Sequence, residues 1–130
     1  MPEKKTTERA RRLRRQGKSA STQAGEFVRE EIHHVREGKH GARSTRQAIA
    51  IGLSKARGAG VGLPPPEGPR RTRRQAAQDL RRGRSGSRRK PSARRARASE
   101  RALQREGRSA ASHRALSRQA RSAARRRRRR

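Results

Sequence analysis

Apolar side chains larger than alanine are scarce along most of this chain and crowd into one stretch. Nine of the fourteen lie between Phe27 and Leu63. Two segments within that stretch carry a helical period. In residues 21–41, STQAGEFVREEIHHVREGKHG, the apolar Val28, Ile32 and Val35 fall at i, i+4 and i+7, with Ala24 one turn earlier. That spacing lays a stripe along one helix face. Ser21 or Thr22 can cap the start, acidic Glu26, Glu30 and Glu31 lie toward the start with Arg36 near the end, and Gly38 is a natural stop. The second segment opens on a capping box, Ser44 to Gln47. Ala48, Ile49, Gly52, Leu53 and Ala56 then share one face, and Gly58, Gly60 and the run Pro64, Pro65, Pro66 end the helix. The pattern predicts a helical hairpin over about 22–37 and 45–57. Ala48 and Gly52 would let its two backbones approach, with Val61 and Leu63 folding back over the open end. Ile51 points away from the stripe; it is either covered locally by Val61 or Leu63 or is a point of self-association between chains.

Composition changes the picture outside that stretch. Only 26% of the residues are hydrophobic, against roughly 45–50% in globular domains, and twenty of them are alanine. The formal net charge is +30, divided as +6 over residues 1–20, +3 over 21–66 and +21 over 67–130. Low hydrophobicity with high net charge predicts disorder, because burial cannot offset chain entropy. The expected fold is therefore a mostly disordered chain with a small all-α module. Its parts are a basic N-terminal arm (1–20), a helical hairpin module (21–66) and an Arg-rich low-complexity tail (67–130). Helicity should be confined mainly to 22–57. One short tail helix fits TRRQAAQDLRRG, with a capping box at Thr72 and Gln75 and a stop at Gly83, and further tail helices would be induced when phosphates neutralise their charge. A folded piece of some forty residues usually needs a staple, a metal or a partner.

The charge points to a polyanion. Arginine outnumbers lysine 34 to 6, and the planar guanidinium forks onto phosphate oxygens. The candidate nucleic-acid contacts are Arg43, Arg46 and Arg57 in the module. In the tail they are Arg70, Arg71, Arg73, Arg74, Arg81 and Arg82, then Arg88, Arg89, Lys90, Arg94 and Arg95. The C-terminal run Arg125, Arg126, Arg127, Arg128, Arg129 and Arg130 completes them. Arg46, Ala50, Ser54 and Arg57 form a row opposite Gly52 that could face a groove. Phe27 is the only aromatic residue, so the stacking platforms of single-strand and RRM-type binders are missing. Charge neutralisation on a duplex, DNA favoured over RNA, is what remains. The alternative is a protein-protein interaction module, in a phage particle or a ribosome-associated complex, with basic tails that hold RNA or DNA.

Other chemistry is thinly represented. There is no cysteine, hence no disulfide framework or thiolate metal site. No nucleophile elbow or phosphate-cradling glycine loop occurs, so no enzyme activity, small-molecule substrate or cofactor is expected. His33, His34 and His40 suggest a metal, but adjacent helical residues point about 100° apart, so His33 and His34 cannot face one ion. Glu30 and His33 imitate a Glu-x-x-His pair, which needs ligands from further helices; the expectation is no metal. No apolar run follows the basic N-terminus and none approaches a membrane span, so no membrane partner is expected. The expected location is cytoplasmic and nucleoid-associated.

Between Ser21 and Pro66 the chain resembles a family of small basic bacterial and phage proteins. They share the block Q-A-I-A-I-[GA]-L-S-[KE]-A-R-x-A-G, here Gln47 to Gly60. The family's function is unknown, so the resemblance implies a real module over 21–66 and no activity.

Overall fold

The computed structural model describes residues 2–85 and 92–129. It is 74% helical, with six α-helices and no strand among the described residues. They are α1 (Lys4–Arg15), α2 (Ala20–Glu37), α3 (Thr45–Gly58), α4 (Arg70–Ser85), α5 (Ala93–Gln104) and α6 (His113–Arg128), with a 3-10 turn at Ser109–Ala111. This overturns the expectation of a mostly disordered chain. The N-terminal arm contains a helix, and the tail contains three long ones.

The reason lies in alanine. Eight of the eleven buried apolar residues are Ala, and the others are Phe27, Val35 and Val61. A core of methyl groups works only if helices come close, because dispersion falls steeply with separation. The chain forms two compact units, Met1–Glu30 with Ala50–Lys90, and Glu31–Ile49 with Pro91–Arg130. In the first, Ala10, Ala24, Phe27, Ala56 and Val61 form the core, with Ala20, Leu53 and Leu63 packed on it. Gly52 brings α3 against α2; a β-carbon there would lie 2.6 Å from Val28 Cα. Gly83 does not stop the tail helix. It lies inside α4, where a β-carbon would fall 2.0 Å from the Arg57 carbonyl oxygen. In the second unit, Val35, Ala42, Ala48, Ala110 and Ala111 form the core, joined by Ile32. There the loop after α2 is sewn to the α5–α6 connection. Gly41 N–H donates to the Leu103 carbonyl at 2.7 Å and Ala42 N–H to Gly107 at 3.1 Å. Thr45 Oγ1 donates to the Ala110 carbonyl and Arg36 Nε to Ala111 at 2.9 Å.

Helix ends follow local chemistry, with two differences from the pattern reading. Ser19, not Ser21 or Thr22, caps α2 by accepting from Thr22 N–H at 3.3 Å. At α3, Ser44 Oγ accepts from Gln47 N–H at 3.1 Å, but Gln47 returns to Arg43 N–H at 2.6 Å, one residue outside the usual box. Gly38 ends α2 in the left-handed region, φ +77. Its N–H donates to Val35 O and Lys39 N–H to His34 O, a Schellman motif. The same pair of bonds at Gly17, to Arg14 O and from Lys18 to Leu13 O, ends α1.

Gly83→Val should lower stability by about 1–3 kcal/mol through overpacking, read as a lower denaturation midpoint by circular dichroism. An unchanged midpoint would mean that α4 does not cross the end of α3 at this glycine.

Candidate nucleic-acid interface

Helices outside the hairpin carry rows of exposed arginine, and in α1, α4 and α6 small side chains lie on the covered face. α6 does so most completely. Arg114, Arg118, Arg121, Arg125 and Arg128 recur at spacings of four, three, four and three, and all five are exposed. At about 100° per residue they fall within one 80° sector. Leu116, Gln119 and Ala123, on the opposite side, are partly buried. The stripe is about 21 Å long at about 1.5 Å per residue. No Asp or Glu occurs after Glu106, so no acidic side chain within α6 can neutralise it. Ser112 caps the helix, accepting from Ala115 N–H at 3.1 Å, and the last-turn arginines suit the negative end of the helix dipole.

Two further helices repeat the arrangement. On α5, Arg94, Arg97 and Arg101 share an exposed face, continued by Arg105 at the C-cap. On α4, Arg70, Arg74 and Arg81 are exposed on the side away from buried Ala76, and Arg73 and Arg84 are exposed on its flank. Arg43, Arg46, Arg71, Arg82, Arg95, Arg126, Arg127 and Arg129 are also exposed. Arg88, Arg89, Lys90 and Arg130 lie outside the described residues. Arg97, Arg101, Arg105, Arg114, Arg118 and Arg121 were missed by the sequence reading. Their signal is the four-three spacing within the Ala/Arg-rich tail, which only becomes a stripe once the segment is a helix.

Arg57 is the exception among the expected contacts. It is 5% exposed. Its Nε donates to the Leu63 carbonyl at 3.3 Å and its Nη2 to the Pro64 carbonyl at 2.8 Å. Burial pulls its pKa below the usual guanidinium value, opposed by nearby Asp79. Arg57 is thus a tie for the segment leaving α3. The supposed groove-facing row is interrupted in the same way, because Ser54 Oγ donates to Asp79 Oδ2 of α4 at 3.0 Å. The acidic back of α2 is likewise engaged internally: Glu26 lies 3.6 Å from Arg9, and Glu30 accepts from Glu3 N–H at 2.6 Å.

One cluster has metal-ligand chemistry. Glu31 is fully buried, with His40 Nε2 at 3.1 Å from Oε2 and His34 Nδ1 at 3.8 Å from Oε1. The two rings meet edge to face, centroids 5.9 Å apart. The Glu-x-x-His pair of α2 is therefore Glu31 and His34, one register on from Glu30 and His33, and His33 is exposed.

No protein-family model, curated protein or solved structure matches this chain.

Arg57→Ala should cost about 1–3 kcal/mol by leaving the carbonyls it serves without their donor. It should leave the salt dependence of duplex binding unchanged where the variant is folded. A salt slope lowered by about 0.9, the value of one phosphate contact, without loss of stability would place Arg57 on phosphate instead.

Proposed function

We propose that the protein binds duplex nucleic acid, DNA favoured, through non-specific charge neutralisation in a nucleoid-type role. The observation that carries this reading is the α6 stripe of five exposed arginines with no carboxylate on the helix. Its length of about 21 Å spans roughly six base-pair steps of about 3.4 Å, so several guanidiniums can reach phosphates of one duplex at once. The α4 and α5 stripes extend the same chemistry. Several acidic groups, Glu26, Glu30, Glu31 and Asp79, are turned to partners within the protein, which leaves them less able to compete for the arginines. Phosphate contacts position a protein without reading bases. The sole aromatic, Phe27, is fully buried, so no aromatic platform is offered to unstacked bases.

Deleting residues 67–130 is not a clean test, because it removes α4 from Arg57 and Gly60 and takes Ala110 and Ala111 from the second core. Substitution of the stripe is cleaner. Replacing Arg114, Arg118, Arg121, Arg125 and Arg128 together by Gln keeps helix propensity. It should flatten the slope of log K against log salt by about 4 units on duplex DNA, at about 0.9 per phosphate. Two unrelated duplexes of equal length should bind alike before and after. A retained slope, or a strong preference for one duplex, would overturn the reading.

A further inference from the structure

We propose that Glu31, His34 and His40 form a site for one divalent transition-metal ion of the zinc type. The ligand set is one carboxylate and two imidazoles, which zinc accepts in its open, three-ligand sites. The three groups belong to one compact unit, and one ligand atom of each lies within 4.8 Å of the others. An ion bound at about 2.0–2.1 Å in tetrahedral geometry places its ligand atoms about 3.3 Å apart. The separations of 3.1 Å from His40 to one Glu31 oxygen and 3.8 Å from His34 to the other lie on either side of that figure, so the three side chains already converge on one point.

His40 carries the argument. Its Nδ1 lies 2.9 Å from the Gly41 carbonyl oxygen. A carbonyl only accepts, so Nδ1 bears the proton. In the neutral ring Nε2 then has a lone pair, and it is aimed at the Glu31 carboxylate. Two lone pairs at 3.1 Å repel unless a cation lies between them. Either a proton held between the carboxyl and the imidazole or a metal ion fills that gap. A ligating histidine usually holds its outer N–H on a carbonyl or carboxylate, and His40 has that arrangement. The loop that carries it is fixed on both sides: Gly38 closes α2, and the Gly41 and Ala42 amides donate to the Leu103 carbonyl in the last turn of α5 and the Gly107 carbonyl just after it. Glu31 is 0% exposed, which keeps the charged ligand away from competing water. A cleft lined by Glu37, Gln104, Glu106 and Arg108 also takes in His40, so one of the three ligand residues borders open space.

The test is zinc binding by the full-length protein, measured by equilibrium dialysis and by the carbon-bound ring protons of its four histidines in NMR. One equivalent should bind, with shifts at His34 and His40 and none at the exposed His33 and His113. His40→Ala, on a loop, should weaken binding at least tenfold while helicity and duplex affinity stay unchanged. His34→Ala should weaken it similarly, and His33→Ala should match the parent. Zinc should raise the thermal midpoint of the parent and not of His40→Ala, since a ligand held only by the folded state stabilises it by mass action. Absence of stoichiometric uptake would overturn the proposal and leave a protonated His40 paired with Glu31. So would uptake that His40→Ala leaves intact.

Discussion

At three points among the described residues a backbone lies where a side chain would normally stand. A β-carbon on Gly52 would meet Val28 Cα, one on Gly83 the Arg57 carbonyl, and one on Gly41 the Glu106 carbonyl at 1.9 Å. The contacts that glycine opens are then filled by alanine: Ala24 and Ala56 in one unit, Ala48, Ala110 and Ala111 in the other. Methyl groups bury little area each, so they stabilise only when many atoms come within van der Waals reach at once. Close approach is therefore the condition on which the rest depends. It lets a chain with few large apolar residues hold six helices among its described residues.

That constraint separates what was legible from what was not. The hairpin helices could be read because Val28, Ile32 and Val35, with Ala48, Leu53 and Ala56, repeat at helical spacing in ordinary core residues. Gly52 was legible as a contact point because it falls on that stripe. Of the tail helices only part of α4 was read, and the others were expected only once phosphates neutralised them, because counting large apolar residues discards alanine, the residue type that makes up most of the core here. Gly83 looked like a stop, since glycine after a basic run usually ends a helix; nothing local distinguishes a stop from a crossing. Gly17 was available as the end of α1. It was passed over because the preceding segment has one large apolar residue, Leu13, although Thr6 and Ala10 supply the buried face.

The candidate site was legible as composition and not as geometry. An arginine count predicts a polyanion, but it cannot rank residues that differ only in which way their helix faces. Arg57 appears in the sequence beside a groove-like row, yet it is buried because the chain turns back over it at Leu63 and Pro64. Arg118 and Arg121 look like spacer between serines and alanines, yet their helix places both on the exposed stripe. The histidine cluster was hidden by one register. His33 and His34 do point apart, and the one that turns inward finds its partners in Glu31 and in a loop residue six positions on.

Packing and charge meet on α6. Its inner face offers Leu116 and alanines, and its outer face carries five like charges whose neighbours are a single turn apart. Like charges at such spacing oppose a helix by a few tenths of a kcal/mol per pair, and no carboxylate of the helix relieves them. Anions that line up along the stripe remove this repulsion while leaving the methyl contacts beneath untouched. On the proposed reading, a duplex thus stabilises the helix that binds it, and by linkage every interaction that holds α6 in place, the Ser112 cap and the Ala110–Ala111 turn included, strengthens binding. Affinity should then be distributed between the arginines and the small residues that fix their direction. On that reading order and binding draw on opposite faces of one helix, so each supports the other.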